Sequence, residues 1–462
     1  MIPLDGISTL LLLVALTACG GFLLLVAARH RRAVWYLWAA SLVPLFLFGR
    51  SYATVGLDPI YLLDTFTWLA LLATTPAWLP RAFSEPRLNG FRAVAILLCI
   101  AAIQAVVRGI FHDHPGAVKG IILGIYPVLA WFAATWFLTR PAEEILRWRW
   151  VLYVPSLGVF LVAGLGEILT PAASGLYLAI AGAFGMILHR TGSSRLLLWT
   201  LAGAAALTAV ASKRGPLLAV LAAIAATALA SRCSSRRTRQ WPALTLSFAI
   251  VGVLAVLGTS AAGQGPSALP VVGGLADRLV SSASDPDGEA ANNVELRFLM
   301  WRKALDVADQ NPLLGGGAGR PIDVVFDGAL LNKAESGPHN SFIGYLYYLG
   351  WPAGIAFASL VIATLWRTWR AREHLVSAAW FGATVGLCLT SFTNVAFETT
   401  YIGLPSWLLL ACAFALVGVP RAEAAASANG ALLPEGRGGL AFAGAATRPP
   451  PHGRRPVSVS GK

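Results

Sequence analysis

Residues 196–230 decide the fold, and they read LLLWTLAGAAALTAVASKRGPLLAVLAAIAATALA. The charged residues within this stretch are Lys213 and Arg214, and Gly215-Pro216 follows them directly. A helix needs about 20 apolar residues to cross the hydrocarbon core of a bilayer. The stretch is therefore long enough for two transmembrane helices, joined by a hairpin that carries the two basic residues at its tip.

The composition of the whole chain is also that of a membrane protein. Of the 462 residues, 56% are hydrophobic and only 12% are charged, whereas soluble domains are about 25% charged. This composition excludes a series of soluble domains. The net charge of +13 does not indicate a nucleic-acid partner, because the basic residues are spread over short loops between apolar stretches, which is typical of membrane orientation signals.

The apolar stretches predict an all-α polytopic membrane protein with about 12–13 transmembrane helices. Thirteen spans are predicted, at approximately residues 7–28, 33–49, 60–80, 92–111, 117–138, 150–169, 172–189, 195–212, 214–230, 242–260, 340–365, 375–394 and 400–418. The loops on one side hold eighteen Lys and Arg residues, and the short loops on the other side hold five. Because basic loops stay in the cytoplasm, the N-terminus is predicted outside and the C-terminus inside.

One large loop lies between the tenth and eleventh spans, on the predicted extracytoplasmic side. Within it, Asn292 or Asn293 is predicted to cap a helix that begins near Val294, and Asn311-Pro312 is predicted to end that helix. The last residues are rich in Ala, Gly and Pro, which is typical of disorder. Four domains are predicted: an N-terminal transmembrane bundle (1–260), the extracytoplasmic loop with short helices (261–338), the C-terminal transmembrane helices (339–420) and a disordered cytoplasmic tail (421–462).

His339 lies where the large loop meets the eleventh span, in the sequence Pro338-His339-Asn340-Ser341. Free N–H groups at a helix N-terminus favour a phosphate. The same positive end favours the neutral form of a histidine, which can then act as a base. The sequence therefore indicates His339 as a catalytic base, and the alternative is that these residues form only an interfacial polar cap on a membrane helix.

Basic residues on the outer side could bind an anion. Lys213 and Arg214 run against the orientation rule, so they either bind an anion or extend to the level of the lipid headgroups. Arg297 and Arg320 lie in the large loop, and the planar guanidinium suits a phosphate. The alternative for these two arginines is a solvated helix face.

Other polar residues also lie on the predicted outer side. Arg302 and Lys303 are expected on a solvated helix face. The two histidines at residues 112–114 flank one aspartate, but such a pair without further ligands is weak support for a metal site, and no metal is expected. Glu398, near the outer end of a span, either orients a base or an arginine or merely lies at the interface.

Four motifs occur in a fixed order on this predicted outer face. They are Ser212-Lys213-Arg214-Gly215, then LRFLMWRKAL at 296–305, NPLLGGG at 311–317 and PHNSF at 338–342, followed by Gly350. With these motifs, the chain from about Ala204 to Ala358 resembles the O-antigen ligase and O-antigen polymerase superfamily of bacterial inner membranes.

The resemblance implies a GT-C-like membrane fold and a glycosyltransferase in the bacterial inner membrane, with its active site on the periplasmic face. The implied donor is a glycan linked through pyrophosphate to undecaprenol, and the acceptor is a hydroxyl of a lipid A core or of another lipid-linked glycan. No nucleotide sugar, metal or other cofactor is implied. The family's catalytic histidine corresponds to His339, and its pyrophosphate-binding arginines correspond to Arg214 and Arg297. Lys213 stands where the family usually has Ser or Thr, and it adds a second charge to the pyrophosphate site. Supporting roles are expected for Asn340, Arg320 and Glu398.

Two other functions stay open at this stage. A small-anion transporter is one, because some relatives of this superfamily have been proposed to move small anions. Coupled transporters carry ionisable groups deep in their spans, whereas Gln104 is the polar residue noted at mid-depth here. A non-catalytic subunit of a polysaccharide assembly complex is the other, and loss of His339 would leave that role intact. Ligase and polymerase are not separated, because they share the donor and the base.

Overall fold

The computed structural model describes residues 79–114, 116–138, 171–190, 214–232, 289–326, 329–332 and 337–416, with short pieces before residue 70. Most of these residues are helical. The helices are α1 (Asn89–Phe111), α2 (Ile122–Phe137), α3 (Pro171–Arg190), α4 (Arg214–Arg232), α5 (Glu289–Gln310), α6 (Ser341–Leu349), α7 (Trp351–Arg370), α8 (Leu375–Thr393) and α9 (Thr400–Leu416). Two antiparallel hairpins pair β1 (Gly56–Leu57) with β2 (Ile60–Tyr61), and β3 (Asp323–Phe326) with β4 (Ala329–Asn332).

Three helical segments within the described residues are long and apolar enough to cross a membrane. They are Pro86–Phe111, Ala117–Thr135 and Leu375–Thr393, which supports an integral membrane protein. Helices occupy the fourth, fifth, seventh, ninth, twelfth and thirteenth predicted spans. The first three spans and the sixth, eighth and tenth lie wholly or largely outside the described residues, so the number of spans and the position of the large loop stay predictions.

The eleventh predicted span, residues 340–365, is wrong as a single helix. Gly350 separates α6 from α7 and has a φ of 87°, a conformation that favours glycine. The N–H of Trp351 donates to the carbonyl of Pro312 at 2.8 Å, and a Cβ at Gly350 would lie 2.7 Å from the carbonyl carbon of Leu313. The break therefore allows the segment that follows α5 to pack against the junction of α6 and α7.

The start of α5 also differs from the prediction. The helix begins at Glu289 and not near Val294, so the asparagines at 292–293 lie inside the helix. The reason is local: Glu289 and the two alanines after it are good helix formers, and an acid suits the first turn. The predicted end is confirmed, because the helix stops immediately before Asn311-Pro312.

Small residues bring α3, α4 and α8 into close contact. Gly382 of α8 lies against Ala223 and Thr227 of α4, and Gly386 of α8 lies against Ala179 of α3. Without side chains at these glycines, the helix backbones approach closely, which is a common way for helices to associate in a membrane.

An aromatic cluster supports α6, the helix that follows His339. Tyr345 of α6 stacks on Phe357 of α7 with ring centroids 4.3 Å apart. Trp407 of α9 meets Phe397 edge-on at 5.2 Å and Phe357 at 5.8 Å. All four side chains are buried. Aromatic pairs of this kind contribute about 0.5–1.5 kcal/mol each beyond the burial of their surface. The packing of Tyr345 in this cluster therefore stabilises the position of α6.

Candidate active site

His339 has an uncommon backbone conformation for a residue with a side chain. Its φ is 51°, in the left-handed region that costs such a residue roughly 1–2 kcal/mol. The neighbouring residues hold it there. The indole N–H of Trp301 in α5 donates to the carbonyl of Pro338 at 2.6 Å, so α5 fixes the chain on one side of the half-buried histidine.

Asn340 fixes the chain on the other side of His339. Its side-chain oxygen accepts hydrogen bonds from the N–H groups of Phe342 at 3.0 Å and Ile343 at 3.2 Å, and the asparagine is buried. This is an N-cap of α6. The prediction that free N–H groups at this helix end could bind a phosphate is therefore wrong for the N–H groups of Phe342 and Ile343, because both already donate to Asn340.

Ser341 connects α6 to the chain between α8 and α9. Its hydroxyl donates to Glu398 Oε2 at 2.5 Å and accepts from the N–H of Ala396 at 2.8 Å and of Phe397 at 3.3 Å. Ser341 is fully buried. The first turn of α6 is thus tied to a second segment, which limits movement of the histidine two residues earlier.

The Glu398 carboxylate lies in the interior although the residue as a whole is only partly buried. Burial raises the pKa of Glu398 to about 7, and the hydrogen bond from Ser341 offsets part of that increase. Its Oε1 is buried and has no hydrogen-bond partner among the described residues. Glu398 therefore contributes a positioning contact to Ser341 and holds a proton more readily than an exposed carboxylate does.

Arg297 lies one turn before Trp301 on α5 and binds the end of α8. Its Nη1 donates to the carbonyl of Thr393 at 2.8 Å. Burial lowers the pKa of the Arg297 guanidinium, but arginine remains charged in proteins. A guanidinium has five N–H donors, and this bond uses one. The same helix therefore places a cation and fixes the loop of His339.

Three other residues were predicted to belong to this site: Arg214, Lys213 and Arg320. Arg214 is the first residue of α4, and Lys213 lies outside the described residues. Arg320 lines a cavity of about 370 Å³ whose lining does not include His339, Arg297 or Glu398.

The cavity at Arg320 lies between the end of α1, α5 and the glycine-rich segment after α5. Its titratable lining residues, among those the structure describes, are Arg108, His112, His114, Lys303, Arg320, Asp323 and Tyr347. Arg108 donates to the carbonyl of Gly315 and to the side-chain oxygen of Asn311, each at 2.7 Å. The stacked rings of His112 and His114 gain no third metal ligand from the described residues.

The sequence analysis predicted no contact for Trp301, Ser341 or Arg108, although each of them makes a hydrogen bond that holds the structure around the two sites. Trp301 and Ser341 belong to the quoted motifs, but neither was assigned a contact. Arg108 is one of the five basic residues in the short loops that are predicted to lie outside, and that predicted placement is the available signal for it.

A comparison with known protein families bears on this site. Residues 196–358 match the family model described as O-antigen ligase. A search of curated proteins finds no match. The matched segment contains Arg214, Arg297 and His339, whereas Arg108 and Glu398 lie outside it. The predicted resemblance is confirmed for this segment: residues 196–358 are similar to the O-antigen ligase family.

Proposed function

We propose that the protein is a membrane glycosyltransferase that moves a glycan from undecaprenyl pyrophosphate to a sugar hydroxyl, on the extracytoplasmic face of a bacterial inner membrane. The observation that carries this proposal is His339, held at a positive φ between the Trp301 contact and the Asn340 cap, with Arg297 on the same supporting helix. An O-antigen ligase domain that contains these residues supports it.

His339 is the general base in the proposed reaction. The acceptor hydroxyl attacks the anomeric carbon of the donor sugar, and its proton passes to the imidazole. The bond between that carbon and the pyrophosphate oxygen breaks, and the electron pair leaves with undecaprenyl pyrophosphate. General-base catalysis of this kind contributes roughly 10²- to 10⁴-fold to a rate. In-line attack inverts the anomeric centre, and retention of configuration in the product would exclude this route.

Arg297 and Arg214 hold the pyrophosphate, with Lys213 adding charge. A pyrophosphate leaving group needs neutralisation of its developing charge more than protonation, and fixed guanidinium groups provide it. The Thr393 contact fixes Arg297 before substrate arrives. The polyprenyl chain of the donor stays in the bilayer, so such a site must lie at the membrane surface.

Glycan transfer by the purified protein tests this function. Wild type, His339→Ala and His374→Ala are supplied with an undecaprenyl-pyrophosphate glycan and with either lipid A core or a lipid-linked glycan as acceptor. His374 is the matched control because it is exposed and precedes the N-terminus of α8, about 28 Å along that helix from the Thr393 end.

We expect His339→Ala to lose 10²- to 10⁴-fold in kcat and His374→Ala to match wild type. The acceptor that wild type uses then assigns the protein as ligase or polymerase. Equal activity of His339→Ala and wild type would remove the base assignment. Absence of transfer by wild type to either acceptor would favour anion transport or a non-catalytic role.

A further inference from the structure

The cavity at Arg320 concentrates positive charge that the proposed reaction does not use. Arg108, Lys303 and Arg320 line it together with two histidines, and Asp323 is the one acid in its lining among the described residues. Burial lowers the pKa of His114, the hydrogen bond with the Ala318 carbonyl offsets part of that decrease, and the nearby charges of His112, Arg320 and Arg108 lower the pKa further. The basic groups therefore lie close enough to repel one another, and an anion between them would relieve that repulsion.

None of these three cations, Arg108, Lys303 and Arg320, forms an ion pair with another residue that the structure describes. Arg108 uses two donors on Gly315 and Asn311. These contacts orient the guanidinium but leave its charge without a counter-ion.

The cavity and the His339 site lie on opposite flanks of α5. Met300, Ala304 and Val307 form the buried stripe of α5 that packs against Tyr347 of α6. At 100° per residue, Trp301 lies about 90° to one side of that stripe. Lys303 lies about 70° to the other side by the same geometry. One helix thus separates the two sites and forms a wall of each.

The size of the cavity favours a sugar over a bare ion. Its volume is about 370 Å³, at the lower end of the range for ligand pockets. A water molecule takes about 30 Å³ in the liquid, so a lone phosphate would fill only a small part. The Asp323 carboxylate can accept hydrogen bonds from sugar hydroxyls, while the basic groups suit the charged substituent.

We propose that this cavity binds a sugar residue bearing a phosphate or carboxylate group within the acceptor glycan, while another sugar of the same glycan presents its hydroxyl to His339. This inference rests on the proposed function for its acceptor. The donor pyrophosphate fits the cavity less well, because it must lie beside the anomeric carbon that is attacked at His339. A residue further along the acceptor can reach the other flank of α5.

Direct binding tests the cavity independently of any transfer activity. The full chain in nanodiscs is titrated with glucose 6-phosphate, glucuronate, glucose and inorganic phosphate. The variants are Lys303→Gln/Arg320→Gln and the control Arg302→Gln. Arg302 is exposed and points about 170° away from the buried stripe of α5.

We expect wild type and Arg302→Gln to bind the two anionic sugars at least tenfold more tightly than glucose. The double variant should lose at least tenfold, and Arg320→Lys, which keeps the charge, should retain most of the affinity. Inorganic phosphate that binds as tightly as glucose 6-phosphate would overturn the sugar assignment. Equal affinities of wild type and the double variant, or absence of binding to wild type, would overturn the site.

Kinetics with a phosphorylated and a dephosphorylated acceptor then assigns the ligand. We expect the double variant to raise KM for the phosphorylated acceptor at least tenfold, with KM for the donor and the rate with the dephosphorylated acceptor unchanged. An increase in the donor KM instead would assign the cavity to the pyrophosphate and overturn the proposal. If wild type transfers nothing, the proposed function fails while the binding measurements still decide whether the cavity takes an anionic sugar.

Discussion

Replacing Glu398 by glutamine should make the protein's stability less dependent on pH. Burial raises the pKa of the Glu398 carboxyl from 4.5 to about 7 in the folded protein. Between these two values the folded chain keeps a proton that the unfolded chain releases. The contribution of Glu398 to the stability of wild type therefore falls as pH rises from about 4.5 to about 7 and stays level above that range. Glutamine cannot ionise, so the variant lacks this decrease.

The size of the effect follows from the difference between the two pKa values. A pKa of about 7 against 4.5 is a difference of about 2.5, and each unit corresponds to about 1.36 kcal/mol. Wild type should lose about 3 kcal/mol relative to Glu398→Gln between pH 4.5 and pH 7.5. The glutamine side chain keeps an oxygen acceptor for the Ser341 hydroxyl, so we expect the chain near His339 to stay in place.

Denaturant unfolding in one detergent, at fixed temperature and at a series of pH values from 4.5 to 8, measures this difference. Glu373→Gln is the matched control, because it removes an exposed carboxylate at the other end of α8. A constant free-energy difference between Glu398→Gln and wild type across the whole range would refute the reasoning. So would an equal pH-dependent gain for the control.

Two further predictions concern the contacts around His339. Gly344→Ala places a methyl group against Glu398 Oε1, so we expect a loss of about 1–3 kcal/mol in the free energy of unfolding. In Gly90→Ala the added methyl group has no neighbouring atom within 4 Å, so we expect the free energy of unfolding to rise by up to about 1 kcal/mol. Equal denaturant midpoints for the two variants would contradict the contact between Gly344 and Glu398. Trp301→Phe removes the hydrogen bond to Pro338 O, which costs about 1 kcal/mol. We expect its kcat for glycan transfer to fall about tenfold, with helix content unchanged by circular dichroism, and an unaltered kcat would show that this bond does not position His339.

The helices could be predicted from the sequence, because a helix that crosses a bilayer needs about 20 apolar residues, and stretches of that length are visible in the sequence. The break at Gly350 was not predictable in the same way. Apolar residues continue across it from α6 into α7, so hydrophobicity alone gives one span. The positive φ of Gly350 and the hydrogen bond from Trp351 to Pro312 depend on a segment nearly forty residues earlier in the chain. The local sequence pattern does not show contacts between segments that far apart.

The candidate site, like the fold, has features that the sequence predicts and features that depend on how distant segments pack. His339 and Arg297 were identified from motifs, and the cap by Asn340 follows from a local preference of asparagine. The hydrogen bonds from Trp301 to Pro338 and from Ser341 to Glu398 join segments far apart in sequence. Sequence reasoning could nominate these residues but could not pair them, because pairing depends on how the helices pack.

The geometry of α5 explains why residues with different tasks stand so near each other in one short motif. Arg297 and Trp301 are one turn apart, so they share the flank that faces the end of α8 and the chain at Pro338. Lys303 is only two residues beyond Trp301, yet a rotation of 200° takes it to the opposite flank, where the basic cavity lies. The spacing of this motif therefore fixes two surfaces at once, the wall that holds the proposed base and the wall that holds the proposed anionic sugar. A glycan that contacts both walls has to pass around α5, so the width of that helix sets the separation between its charged sugar and its reacting hydroxyl.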